Sequence, residues 1–382
     1  MATDVYERLA DFLDRMPAGY PRTESGIELR ILRRLFTPEE AELTLHLTLL
    51  PEESRVVARR ARLHVAEVAQ RLAEMTEKGL IFPVYTPGKP TQYMAQQFAI
   101  GFYEGQVNRL TPELVHDLEE YWPALGKADF WRKAPQLRTI PVGQSVEAPL
   151  EVLPYERAEE LVRRQTTFAV ANCICREEQD LTGHHCTKPR ETCMIFGIGA
   201  DFYVRTSRGR AISMEETLEI LTLAEETGLV LQPSFAKDAM NICACCGCCC
   251  GVLRLAKMTP EPASVVVSAF RASLDAELCN GCATCETRCQ MDAIAVNGGG
   301  KASLTLSRCI GCGLCVSTCP TGALSLVRKP EAEQRKLPAD SVQAYIEWGK
   351  TRGTISTPSL IGMVVQSKID RMLARQSSPI VD

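Results

Sequence analysis

Two runs of cysteine carry the chemistry available to this chain. Cys279, Cys282, Cys285 and Cys289 follow a C-x2-C-x2-C-x3-C spacing, and thirty positions later Cys309, Cys312, Cys315 and Cys319 repeat it without a gap. The register holds beyond the cysteines, because Asp292–Val296 falls on Gly322–Leu326, in each case a small turn running into an apolar stretch. Three thiolates on one tight loop with a fourth from a distance suit an iron–sulfur cube. A zinc ribbon would leave four of the eight thiols idle, and a disulfide framework belongs to small secreted domains. The duplicated runs therefore predict two [4Fe-4S] clusters.

The spacing, closed in the second run by Pro320, resembles that of the bacterial two-cluster ferredoxins. In that family the fourth cysteine of each run ligates the other cluster. The resemblance implies that Cys279, Cys282, Cys285 and Cys319 hold one [4Fe-4S], and Cys309, Cys312, Cys315 and Cys289 the second. Gly281 and Gly311 are expected where the loop bends round the cube, leaving no room for a side chain against the inorganic sulfides. The chain departs from the family pattern after Cys289, where Gln290 stands in place of proline.

Eighteen cysteines in all leave ten outside these runs: Cys173, Cys175, Cys186 and Cys193, then Cys243, Cys245, Cys246, Cys248, Cys249 and Cys250. Six thiols in eight positions do not read as core packing, and exposed thiols this close would oxidise to one another. Cys243, Cys246 and Cys249 repeat the C-x-x-C-x-x-C of a cube-binding loop, Cys245 and Cys248 add a further C-x-x-C, and the group at 173–193 offers a fourth thiolate. At least one further iron–sulfur cluster is expected here. Adjacent cysteine pairs are also a little similar to the cysteine-rich subunits of heterodisulfide reductases, without that family's long spacings. His184 and His185 read as loop residues rather than ligands.

The elements that must position these thiols are legible in outline. Apolar stripes at helical spacing cover 5–16 and 26–36, and Thr37-Pro38-Glu39-Glu40 spells a capping box with a first-turn proline. Helices at 51–62 and 64–78, followed by a hairpin over 80–95 turning at Thr86–Pro90, complete a pattern that resembles a winged helix-turn-helix. The helix at 64–78 would be the one presented to DNA. Residues 22–95 hold eleven Lys plus Arg against ten Asp plus Glu, however, so phosphate neutralisation is poorly provided and a docking role is expected. Residues 97–134 read as continuing helix with an aromatic close at Tyr121, Trp122 and Trp131, and Pro135, Pro141, Pro149 and Pro154 punctuate an extended stretch.

Beyond it come a helix at 155–164, a strand at 168–171 and a capping box at Ser213–Glu216. The tail carries two helices, roughly 339–350 and 358–375, the second with a broad apolar face of Leu360, Ile361, Val364, Val365, Ile369, Met372 and Leu373 that folds back or receives a partner. The expected fold class is α+β and multidomain. A winged-helix domain at 1–134 and an extended linker at 135–154 lead to a central mixed α/β cysteine-rich domain at 155–272. A 2[4Fe-4S] ferredoxin-like domain at 273–330 and a helical C-terminal tail at 331–382 follow.

The net charge of −4 over 382 residues does not favour nucleic acid as a partner. No basic run leads into an apolar core at the start and no segment approaches eighteen apolar residues, so a cytoplasmic, reducing and anaerobic setting is expected. No P-loop, G-x-G-x-x-G loop, H-E-x-x-H or Ser/His/Asp constellation stands in a supporting context. The first reading is a non-catalytic electron-transfer subunit that relays electrons between redox partner proteins, such as a flavoprotein or dehydrogenase subunit, in an anaerobic oxidoreductase complex. Two alternatives stay open: a redox-sensing winged-helix regulator, and a reductase with a catalytic cluster at Cys243–Cys250.

Overall fold

The computed structural model describes residues 4–127, 129–146 and 150–376. Pro149 and the outermost residues of the first and last predicted segments lie outside them. The chain divides into two units, Met1–Ala128 with Tyr345–Asp382, and Asp129–Ala344.

In the first unit, α1 (Val5–Arg15) and α2 (Ile27–Leu35) precede α3 (Pro38–Thr44). The Thr37 hydroxyl accepts from the Glu40 N–H at 3.2 Å while the Glu40 carboxylate accepts from the Thr37 N–H at 2.9 Å, the reciprocal cap that the sequence spells. Next come β1 (Glu52–Glu53), α4 (Ser54–Ala61), α5 (Val65–Glu77), β2 (Ile81–Val84) and β3 (Gln92–Ala95), with the strands in the order β1-β3-β2. The predicted helix at 51–62 therefore begins late. Glu52 and Glu53 pair with Tyr93 and Gln92 instead, satisfying backbone groups that an open hairpin edge would leave unpaired.

Residues 97–134 are not continuously helical either, since Ala99, Ile100 and Gly101 leave helical dihedrals before α6 (Pro112–Lys127) begins. Aromatic packing overrides propensity there: Phe98 lies 5.4 Å from both Tyr20 and Tyr121 and 5.9 Å from Trp122. The closing helix Thr357–Gln376 docks on α4 by its polar face. Ser367 donates to Glu52 at 2.6 Å and Asp370 pairs with Arg60 at 2.7 Å, while Ile361, Val365 and Met372 stay exposed. Folding back thus uses the face opposite to the one the apolar pattern indicates.

The second unit is built on five antiparallel strands, β4 (Phe168–Asn172), β5 (Glu191–Phe196), β6 (Gly209–Ala211), β7 (Val230–Pro233) and β8 (Asn241–Cys245), in the order β6-β4-β5-β8-β7. Leu161 and Val162 of one helix and Ile220, Leu221 and Ala224 of another share its core. Ser213 caps the second of these, accepting from Glu216 N–H at 3.1 Å. Residues 135–146 are largely extended and packed: Ile140 bridges to Leu231, Leu137 to Ser234, and Ile140 and Val142 are buried.

The duplicated runs fold as two matched hairpin-like pairs. β9 (Phe270–Leu274) pairs with β12 (Leu324–Arg328), and β10 (Ile294–Val296) with β11 (Ala302–Leu304), all antiparallel. Ala272, Ile294, Ala302 and Leu324 form a small shared core with Cys285, Cys309 and Cys315. Among the described residues, no helix is long and apolar enough to cross a membrane.

Candidate functional site

The strand pairs of residues 270–328 hold the two cysteine loops around two cavities. One is lined by Cys279, Cys282, Cys285 and Cys319, the other by Cys289, Cys309, Cys312 and Cys315. Each cavity thus takes three thiols from one loop and the fourth from the other. Backbone N–H groups point at the sulfurs: Ala302 to Cys279 at 3.4 Å, Ala293 to Cys289 at 3.2 Å, and Ala272 to Cys309 at 3.3 Å. Hydrogen bonds to ligand sulfurs are among the features that set an iron–sulfur potential. Burial pushes the Cys312 thiol up to about 12, so that site stays protonated until a metal displaces the proton. Four soft donors per cavity, three from one loop and one from the other, are the donor set of an iron–sulfur cube.

Gly281 and Gly311 are also demanded by the backbone around them. Both adopt positive φ, +73° and +67°, and an added Cβ would come within 1.9 Å of the Gly300 carbonyl oxygen and 2.2 Å of that of Phe270. Neighbouring backbone by itself therefore excludes a side chain at both positions, which also line the cavities.

The ten remaining cysteines divide into two sets. Cys186, Cys246, Cys248 and Cys249 bring their four sulfurs within 4.8 Å of one another. Measured contacts are 3.9 Å for Cys186–Cys246, 3.8 Å for Cys186–Cys248 and 3.6 Å for Cys248–Cys249. The other six are electrostatic neighbours of one another, Cys193 of Cys243, Cys243 of Cys245, Cys245 of Cys250, Cys250 of Cys175 and Cys175 of Cys173, with Cys173 also acting on Cys243 and Cys245. Cys193 and Cys243 are register partners on β5 and β8. Asn241 and Gln232 turn side-chain amides toward Cys243 and Cys250, at 3.5 and 3.7 Å.

The C-x-x-C-x-x-C reading is corrected accordingly. Cys243 belongs to the six-thiol set, whereas Cys246 and Cys249 belong to the four-thiol set, and Cys245 and Cys248 part company in the same way. The adjacent pairs Cys245-Cys246 and Cys249-Cys250 each send one thiol to either set. His184 and His185 lie exposed on the loop before Cys186, outside both sets.

Two further residues complete the site. Arg176 is fully buried, donating to Thr192 Oγ1 at 2.6 Å and to the Ala244 carbonyl at 2.9 Å. Burial works against its charge, but the thiols of Cys173, Cys246 and Cys245 outweigh that and hold the guanidinium above its usual range. Gln290, the departure from the proline pattern, accepts a hydrogen bond from the Gly247 N–H at 2.7 Å. It ties the central cysteine turn to the loop that carries Cys289. The substitution was visible in the sequence, but its partner was not; nothing in the sequence marked Arg176.

The family described as 4Fe-4S dicluster domain matches residues 272–326. No curated protein and no solved structure matches the chain. With the eight thiols distributed over two cavities, that match gives the segment its chemistry: residues 272–326 are a ferredoxin-type domain that binds iron–sulfur clusters.

Proposed function

We propose that the protein is an electron-transfer subunit, relaying single electrons between redox partner proteins within an oxidoreductase complex of an anaerobic, reducing cytoplasm. The observation that carries this reading is the sorting of Cys279, Cys282, Cys285 and Cys319 round one cavity and of Cys289, Cys309, Cys312 and Cys315 round the other. Clusters bound by these quartets supply one-electron chemistry at low potential. The chain's own part is to hold the quartets side by side, direct N–H groups at the sulfurs, and graduate exposure, with Cys282 open to solvent and Cys309 and Cys315 buried.

The six-thiol set is assigned a further iron–sulfur cluster, which the Gln290–Gly247 hydrogen bond keeps close to the Cys289 cavity. The first unit is assigned to docking on a partner protein. Its helix, helix and hairpin order with strands β1-β3-β2 supports a winged helix. The cations of its exposed helix are spent internally, Arg71 on Glu67 at 2.8 Å and Lys78 on Glu40 at 2.7 Å, which leaves little for phosphate.

Anaerobic purification of the full chain tests the reading. About eight irons and eight sulfides are expected from the two cavities, more with the six-thiol set loaded, together with paired, interacting EPR signals on reduction. A flavoprotein or dehydrogenase is expected to copurify from the native host. A colourless or zinc-only preparation overturns the reading, and a copurifying promoter fragment in place of redox proteins transfers it to a regulator.

A further inference from the structure

The four-thiol set differs from the quartets round the cavities in one measurable respect. Among the described residues, only Cys186, Cys246, Cys248 and Cys249 draw three or more ligand atoms within 4.8 Å of one another. No three thiols of the ferredoxin-type domain are that close. A cube carries its thiolates on four separate irons with inorganic sulfide between them, which keeps the thiolates apart. A single tetrahedral ion does the opposite: a metal–sulfur bond of about 2.3 Å sets sulfur–sulfur edges of about 3.8 Å. Three of the six separations are 3.6, 3.8 and 3.9 Å, and the other three lie within 4.8 Å.

We propose that Cys186, Cys246, Cys248 and Cys249 form a closed tetrathiolate site for one divalent tetrahedral ion, zinc or ferrous iron, with no inorganic sulfide. Binding replaces four thiol protons with the ion, leaving a centre of net charge −2. A buried cation stands beside it. Arg176 neighbours Cys246, and its Nε is buried without a hydrogen-bond partner among the described residues. The site closes a loop from Cys186 to the turn after β8, sixty residues on. It staples the two segments that also carry the six-thiol set, and because all four positions are filled by protein it is structural rather than substrate-binding.

The proposal stands apart from the relay reading, and sulfide separates the two. Wild-type chain and the Cys186→Ser/Cys248→Ser double variant, both purified anaerobically, are compared for zinc, iron and acid-labile sulfide. The expected difference is about one metal ion per chain with sulfide unchanged; zinc or iron as the missing element identifies the ion. Loss of about four irons together with about four sulfides means a cube and overturns the proposal, as does no loss of metal. Should the variant fail to fold, the wild-type chain produced in cobalt-supplemented medium decides instead. Tetrahedral cobalt–thiolate absorption at about one cobalt per chain supports the site, and its absence overturns it. Absence of sulfide from the wild-type chain would sink the relay and leave this site standing.

Discussion

In residues 272–326, eight thiols stand apart around two cavities; in residues 173–250, four thiols gather within 4.8 Å of one another while six more lie beside them. Both regions begin from closely spaced cysteines, and both contain C-x-x-C steps. The difference lies in the backbone that carries them. A loop that wraps round a cavity delivers every third residue inward, so spacing there translates directly into a ligand set. In the central region the run begins on a strand. β8 places Cys243 and Cys245 on one face, two residues apart, and turns only after Cys245. Period two on the strand and the turn that follows then divide the run, and a spacing rule learned from wrapping loops assigns its thiols wrongly.

The largest test of this contrast empties one cavity. Replacing Cys309 and Cys312 together by serine is expected to remove about four irons and about four sulfides per chain, leaving the metal of the central thiols in place. Equal loss from both regions, read by metal and sulfide analysis, would break the division. Next comes Arg176→Met, which removes the hydrogen bonds to the Thr192 hydroxyl and the Ala244 carbonyl, leaving them only their mutual 3.5 Å contact, and takes away the positive charge beside the central thiols. It is expected to cost about 2–3 kcal/mol in chemical denaturation and to weaken metal retention by the central thiols alone. Iron lost from the ferredoxin-type domain to the same degree would contradict that.

Gly281→Ala tests the opposite region. A positive φ and a Cβ 1.9 Å from the Gly300 carbonyl predict roughly 1–3 kcal/mol from backbone strain alone, seen as a lower denaturation midpoint. Gly298→Ala, where nothing lies within 4 Å of the added Cβ, serves as the control and should change little. The smallest effect is expected at the junction. Gln290→Leu deprives the Gly247 N–H of its acceptor and should cost about 1 kcal/mol, with faster amide exchange at Gly247 and its neighbours. Unchanged exchange there would mean that the two regions are joined by other contacts.

Much of this was written in the chain itself. The gapless repeat of Cys279–Cys289 on Cys309–Cys319, the capping box at Thr37 and the hairpin at 80–95 are local patterns, and local physics suffices to read them. The edge pairing of Glu52 and Glu53, the break at Ala99–Gly101 and the inverted seating of the last helix were not legible, because each depends on a partner far along the chain: β3, the aromatic cluster round Tyr20, or Arg60 of α4. Within the sites, the sequence alone determined that thiolates would gather and how many. Only the tertiary structure decided which thiols share a centre, since that depends on where strand β8 ends, which loop supplies Cys186, and where Arg176 lies between segments almost seventy residues apart.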